Sequence, residues 1–144
     1  MTLLPLDLTP FRDTIDSLDR ALDLVTDDDW FRRQPQAARE TLIAGVIQNF
    51  EFVFELSIKS IKRQLELDAE DPELIDLTPF RDILRMAAEK GLIEGVEAWF
   101  EYRKMRNRSS HTYDQAKAIE LYQEVPAFLA DAQSLFAQLE VRNV

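Results

Sequence analysis

From about Ala37 to Leu67 the chain contains no proline, while Leu42, Ile43, Val46, Ile47, Phe50, Val53, Phe54, Ile58, Ile61 and Leu65 recur with a helical period. That apolar band is wider than a coiled-coil seam, so it predicts a long central helix packed on more than one side. Such a helix needs partners, and the rest of the chain supplies them. Phe11, Ile15, Leu18, Leu22 and Val25 follow a 4-3-4-3 spacing, one narrow stripe suited to an outer helix. Ala116, Ile119, Tyr122, Val125, Leu129, Ala132, Phe136 and Leu139 are expected to form the inner face of a last helix that Pro126 kinks or divides. No stretch alternates with period two. The expected fold is all-α, a four-helix up-and-down bundle with one or two additional short helices, in a single domain spanning residues 1–144.

Local signals place the ends. Thr9 reads as the N-cap of the first helix, with Pro10 at its first position and Asp13 in its first turn. The hexapeptide Leu8-Thr9-Pro10-Phe11-Arg12-Asp13 recurs unchanged as Leu77-Thr78-Pro79-Phe80-Arg81-Asp82. No wider duplication accompanies it, so two helices are expected to share one start chemistry with an inward phenylalanine. Thr26 to Gln36 reads as a loop, with room for a helical turn, anchored by Trp30 and Phe31. The acidic stretch from Asp68 to Asp76, which contains Pro72, reads as a connector. A short third helix should stop near Gly91, a fourth carries Val96, Trp99, Phe100 and Met105, and Asp114 is the candidate N-cap of the last.

Composition narrows the chemistry. There is no cysteine, which removes disulfides and thiolate metal sites and makes a reducing compartment the default. A single histidine and no EF-hand spacing leave no expected metal site. Three glycines are too few for a phosphate-cradling loop, and no cofactor is expected. The N-terminus lacks a signal-peptide pattern and no apolar run approaches the ~20 residues of a membrane span. The expectation is a cytoplasmic protein with neither membrane nor DNA as partner. A net charge of −10 argues against coating nucleic acid, yet screening leaves room for a local basic pocket that takes RNA.

That pocket has one candidate. Residues 103–114, Arg-Lys-Met-Arg-Asn-Arg-Ser-Ser-His-Thr-Tyr-Asp, hold the chain's only histidine and its densest run of cations. The residue types suit metal-free phosphodiester chemistry: His111 to take the proton of a ribose 2′-OH, Arg106 to brace the phosphate oxygens. Asn107, Ser110 and Tyr113 are placed to support them. Arg106 and His111 are five residues apart, about 140° of rotation on a straight helix. Either the helix loosens after Asn107 or a second chain completes the site. On the central helix, Glu51, Glu55 and Lys59 stand four apart. They form either an intrahelical ion ladder or a polar strip that supports the site or a partner, with Lys59, Lys62 and Arg63 adding positive charge. Arg103 and Arg108 are further candidate contacts.

Arg106-Asn107-Arg108-Ser109-Ser110-His111-Thr112-Tyr113 resembles the R-N-x-x-x-H-x-Y signature of the HEPN superfamily of helical bundles. Ile47-Gln48-Asn49-Phe50-Glu51-Phe52-Val53-Phe54-Glu55-Leu56, followed by Lys59, is similar to a helix of its nucleotidyltransferase substrate-binding branch. Gly91-Leu92-Ile93, Trp99 and the residues from Arg106 to Asp114 match that branch's second block, and Ser57-Ile58 departs from it. The resemblance covers about Phe11 to Leu139. It implies a homodimer partnered with a minimal nucleotidyltransferase encoded nearby. It also implies either of two roles. In one the chain is the toxin of a toxin–antitoxin pair, a ribonuclease using Arg106 and His111 and silenced by adenylylation of Tyr113. In the other it is a non-catalytic subunit that presents substrate.

Overall fold

The computed structural model describes residues 4–111 and 114–144. Seven α-helices and one 3-10 turn follow in order: α1 (Thr9–Thr26), α2 (Asp28–Arg32), α3 (Gln36–Asp68), α4 (Glu73–Asp76), α5 (Phe80–Glu89), α6 (Val96–Arg108), the 3-10 turn (Ser109–His111) and α7 (Gln115–Arg142). No strand occurs among the described residues. The four long helices α1, α3, α6 and α7 make the bundle, and α5 with the single-turn α2 and α4 lie along it.

α3 is the axis. Ile43, Val46, Ile47, Phe50, Val53, Phe54, Ile61 and Leu65 are buried, with Leu42 and Ile58 packed at the margin of the same core. All five residues of the α1 stripe are buried. By length and composition α3 is also apolar enough to cross a membrane, with a mean hydropathy of 1.3 in its richest window, contrary to the expectation that no run comes close. Its apolar side faces the core shared with α1 and α7, as the central helix of a bundle must. The aromatic heart of that core is Phe128, whose ring meets Phe50 at 4.9 Å, Tyr102 at 5.0 Å and Trp99 at 5.9 Å, edge to face.

The last helix keeps half of its expected inner face, Val125, Leu129, Ala132 and Leu139, and departs from the rest. Ala118, Leu121, Val125, Phe128, Leu129, Ala132, Leu135 and Leu139 are buried, whereas Ala116 and Ile119 are exposed and Tyr122 and Phe136 only partly covered. Both sets repeat at helical spacing. Packing selects the one that turns Phe128 towards the rings of Phe50 on α3 and of Trp99 and Tyr102 on α6. α7 runs undivided through Pro126, which lies on its exposed side.

The helix ends show how context overrides local sequence. α1 begins at Thr9, with Leu8 as N-cap, so Thr9 does not cap it and Asp13 falls beyond the first turn. The cap's work passes to Asp7, whose carboxylate accepts the Thr9 N–H at 3.0 Å. In the second copy of the hexapeptide, Thr78 closes α4 by donating its hydroxyl to Leu74 C=O, and α5 starts only at Phe80 with Asp82 in its first turn. Phe11 is buried against Phe136. Phe80 is half-buried beneath the guanidinium of Arg103. α5 stops as expected: Gly91 adopts φ 77°, and the Gly91 and Leu92 N–H groups donate to Ala88 and Ala87 C=O, a Schellman closure. Asp114 caps α7 by accepting the Ala116 N–H.

Candidate functional site

α6 carries the site because its own inner face is fixed. Trp99, Tyr102 and Met105 are buried, and Tyr102 donates its hydroxyl to Asp131 on α7. Burial and that neighbouring carboxylate push the Tyr102 phenol well above the ordinary tyrosine range. On the far side Arg103 stacks on Phe80 at 4.1 Å and Arg81 on Phe100 at 4.9 Å, tying α5 to α6. Arg103 is thereby engaged within the fold.

The residue after Met105 is Arg106, and it turns to α3. Its Nη1 donates to Glu51 Oε2 at 2.6 Å and to Ser109 Oγ at 3.1 Å, and its Nη2 donates to Glu55 Oε1 at 2.9 Å. Ser109 Oγ also lies 2.6 Å from Glu51 Oε2 and 2.7 Å from the Arg106 carbonyl. Glu51 and Glu55 therefore serve Arg106 instead of an ion ladder with Lys59. These two carboxylates pair across to α6 and not along α3. The arginine is about one-third exposed, as is suitable for a cation that must meet solvent or a ligand, and Ser109 beneath it is buried.

His111 stands elsewhere. After Arg108 the helix tightens into the 3-10 turn, one residue later than the loosening expected after Asn107. His111 ends that turn, exposed, at a cavity of about 470 Å³ lined with Arg108, Lys117, Glu120, Leu121, Gln123 and Glu124. Arg106 is not part of this lining. Arg108 reaches across to α7 and pairs with Glu124 at 2.9 Å. The 3-10 turn thus leaves Arg106 and His111 opening onto different surroundings within one chain.

Asn107 and Ser110 are exposed, joined by a hydrogen bond from Ser110 Oγ to the Asn107 carbonyl at 3.2 Å. Lys59 lies at a separate cavity of about 600 Å³ under the segment Leu4-Pro5-Leu6-Asp7, together with Arg63 and Glu66. Tyr113, with Thr112, lies outside the described residues. Among the described residues no three His, Asp or Glu side chains come together as a metal cluster. Ser109, whose hydroxyl joins Arg106 to Glu51, is a side chain of this cluster that the sequence did not single out. Its signal was its position three after Arg106, one helical turn away and on the same face.

Chemically, the arrangement offers an arginine held in place by two carboxylates and a hydroxyl, and an imidazole at a cavity containing two further cations. The first suits a phosphate's non-bridging oxygens. The second suits proton transfer beside a polyanion.

Residues 6–141 match the family model described as nucleotidyltransferase substrate binding protein like. Over 127 residues the chain is 47% identical to a protein of Haemophilus influenzae named probable ribonuclease HepT, covering 88% of this chain and 87% of that one. A solved structure from Haemophilus influenzae, described as the fold of a substrate binding domain of a nucleotidyltransferase, superimposes with a TM-score of 0.91 at 44% identity, covering 93% of this chain and 99% of that one. The chain belongs to the nucleotidyltransferase substrate-binding family, the HEPN branch to which its Arg106-to-Tyr113 motif points.

Proposed function

We propose that the protein is a metal-independent endoribonuclease, the toxin of a pair whose other member is a minimal nucleotidyltransferase. The observation that carries this reading is the intact Arg-Asn-x-x-x-His motif with Arg106 already aimed by Glu51 and Ser109, in a chain 47% identical to a probable ribonuclease. His111 removes the proton from a ribose 2′-OH. The freed oxygen attacks the adjacent phosphorus, the bond to the next nucleotide's 5′-oxygen breaks, and that oxygen leaves with a proton. Arg106 carries the charge that builds on the non-bridging oxygens. Asn107 and Ser110 support the turn that presents the imidazole.

Since Arg106 and His111 of one chain open onto different surroundings, the working site is completed in a homodimer, with Arg106 of one protomer serving His111 of its partner. The nucleotidyltransferase silences the nuclease by transferring AMP to Tyr113, two residues past His111. There a nucleotide would fill the RNA path with bulk and negative charge. The setting is the cytoplasm, and the chain acts as one domain.

The test is cleavage of RNA by the purified protein in excess chelator, before and after co-expression with the nucleotidyltransferase. Cleavage that stops when mass spectrometry finds AMP on Tyr113 supports the reading, and intact RNA with the unmodified protein overturns it. A second reading, a non-catalytic subunit that presents substrate to the nucleotidyltransferase, is favoured by one observation. Both arginines within the motif, Arg106 and Arg108, carry carboxylate partners. It predicts a stable complex and altered nucleotidyl transfer, with no cleavage in any condition.

A further inference from the structure

The two carboxylates on Arg106 are not equivalent. Glu51 is three-quarters buried at its side chain, and its Oε2 joins both Arg106 Nη1 and the buried Ser109 hydroxyl. Glu55, one turn along α3, touches only Nη2, through one oxygen, and is 57% exposed at its side chain. A guanidinium has five N–H groups. Two at Nη1 and one at Nη2 are taken by these partners, which leaves Nε–H and the second Nη2–H. Of the two carboxylate contacts, that of Glu55 is the more open to solvent and to a competitor.

We infer that Glu55 is a stand-in for the substrate's phosphate, occupying the Nη2 position that a phosphate oxygen takes over, while Glu51 and Ser109 are positioning residues that hold the guanidinium in place. The inference rests on the proposed anion-binding role of Arg106. A carboxylate oxygen and a non-bridging phosphate oxygen accept the same N–H geometry, so one replaces the other without moving the arginine. When phosphate arrives, Glu55 swings to solvent, which its exposure allows. Glu51 stays, because leaving would take the carboxylate partner from the less exposed side of the guanidinium, where its own side chain is three-quarters buried. The exchange sets a threshold: a weakly held anion does not displace Glu55, whereas a polyanion with neighbouring contacts does.

The probe is inorganic phosphate, titrated against protein carrying ¹⁵N-labelled arginine while the Arg106 side-chain resonances are followed by NMR. Glu55→Gln keeps the shape and removes the charge, and it should tighten phosphate binding about three- to fivefold, the scale of a part-exposed ion pair. In an Arg106→Gln background, followed by ³¹P line broadening, the same change should have no effect, because the coupling runs through that guanidinium. Glu101→Gln, which alters net charge equally one turn or more away on α6, should leave affinity unchanged. Equal tightening by Glu101→Gln, persistence of the effect without Arg106, or no tightening by Glu55→Gln would each overturn the inference. Phosphate tightening in a protein that cleaves no RNA would leave the stand-in standing and remove the nuclease reading.

Discussion

Arg106 and His111 lie five residues apart and are held in opposite ways. Arg106 is fixed from outside its own helix: Glu51 and Glu55 come from α3, the axis of the core, and Ser109 from the turn below it. His111 belongs to a three-residue 3-10 turn, exposed, next to a cavity where the ion pair of Arg108 with Glu124 is half solvated on both sides. The half of the site proposed to hold the anion is tied to the bundle through α3; the half proposed to move the proton sits on a short 3-10 turn. Damage to the core should therefore reach Arg106 first, while changes at the turn should alter chemistry and leave stability alone.

The largest expected effect breaks the proton-moving half. His111→Ala should lower RNA cleavage about 10²–10⁴-fold, the usual scale for a general acid–base, measured by initial rates on a labelled RNA. Its urea midpoint should stay close to wild type, because the side chain is exposed. Next, Phe128→Ala should cost about 3–5 kcal/mol in chemical unfolding, since its ring joins Phe50, Trp99 and Tyr102 at full burial. It should also loosen the seat of α6 and so the aim of Arg106. If it unfolds at the wild-type midpoint, the dependence of that half on the core is wrong.

A smaller effect separates the two halves by pH. The folded state raises the Tyr102 phenol's pKa, so this group's stabilising contribution is complete below pH 10, the ordinary tyrosine value, and drains away as pH climbs beyond it. Tyr102→Phe should flatten that alkaline loss in thermal melts between pH 9 and about 12. An unchanged alkaline limb would show that ionisation of the buried Tyr102 phenol does not govern it. Smallest of all, Glu124→Gln, which breaks only the half-exposed pair with Arg108, should shift stability by about 0–1 kcal/mol in the same unfolding assay. A larger loss would mean the turn is anchored more firmly than its exposure indicates.

Much of the bundle could be read from periodicity, because α1 and α3 each carry one coherent apolar set. α7 could not be phased in the same way. It has apolar residues on two adjacent lines, and only packing in the assembled bundle decides that Leu121, Phe128 and Leu135 face in while Ile119 faces out. The two identical hexapeptides make the same point about ends. Asp7 precedes one and the closing turn of α4 precedes the other, and the helix start moves by two residues accordingly. At the site, the motif pointed to Arg106 and His111 from sequence alone. It could not show that Glu51 and Glu55 meet an arginine more than fifty residues away, since a ladder with Lys59 satisfies the same local spacing. Ser109 was passed over for Ser110 because the change to a 3-10 turn after Arg108 decides which serine turns inward.

The central claim is that Arg106 and His111 act together although one chain does not bring them to a common cavity. Co-folding equal amounts of Arg106→Gln and His111→Ala protein tests it most directly. Each variant alone should be nearly inactive, while the mixture should recover about a quarter of wild-type cleavage, because half the dimers are mixed and each of those has one intact site. A mixture as inactive as its parents, or a parent as active as wild type, would contradict the account.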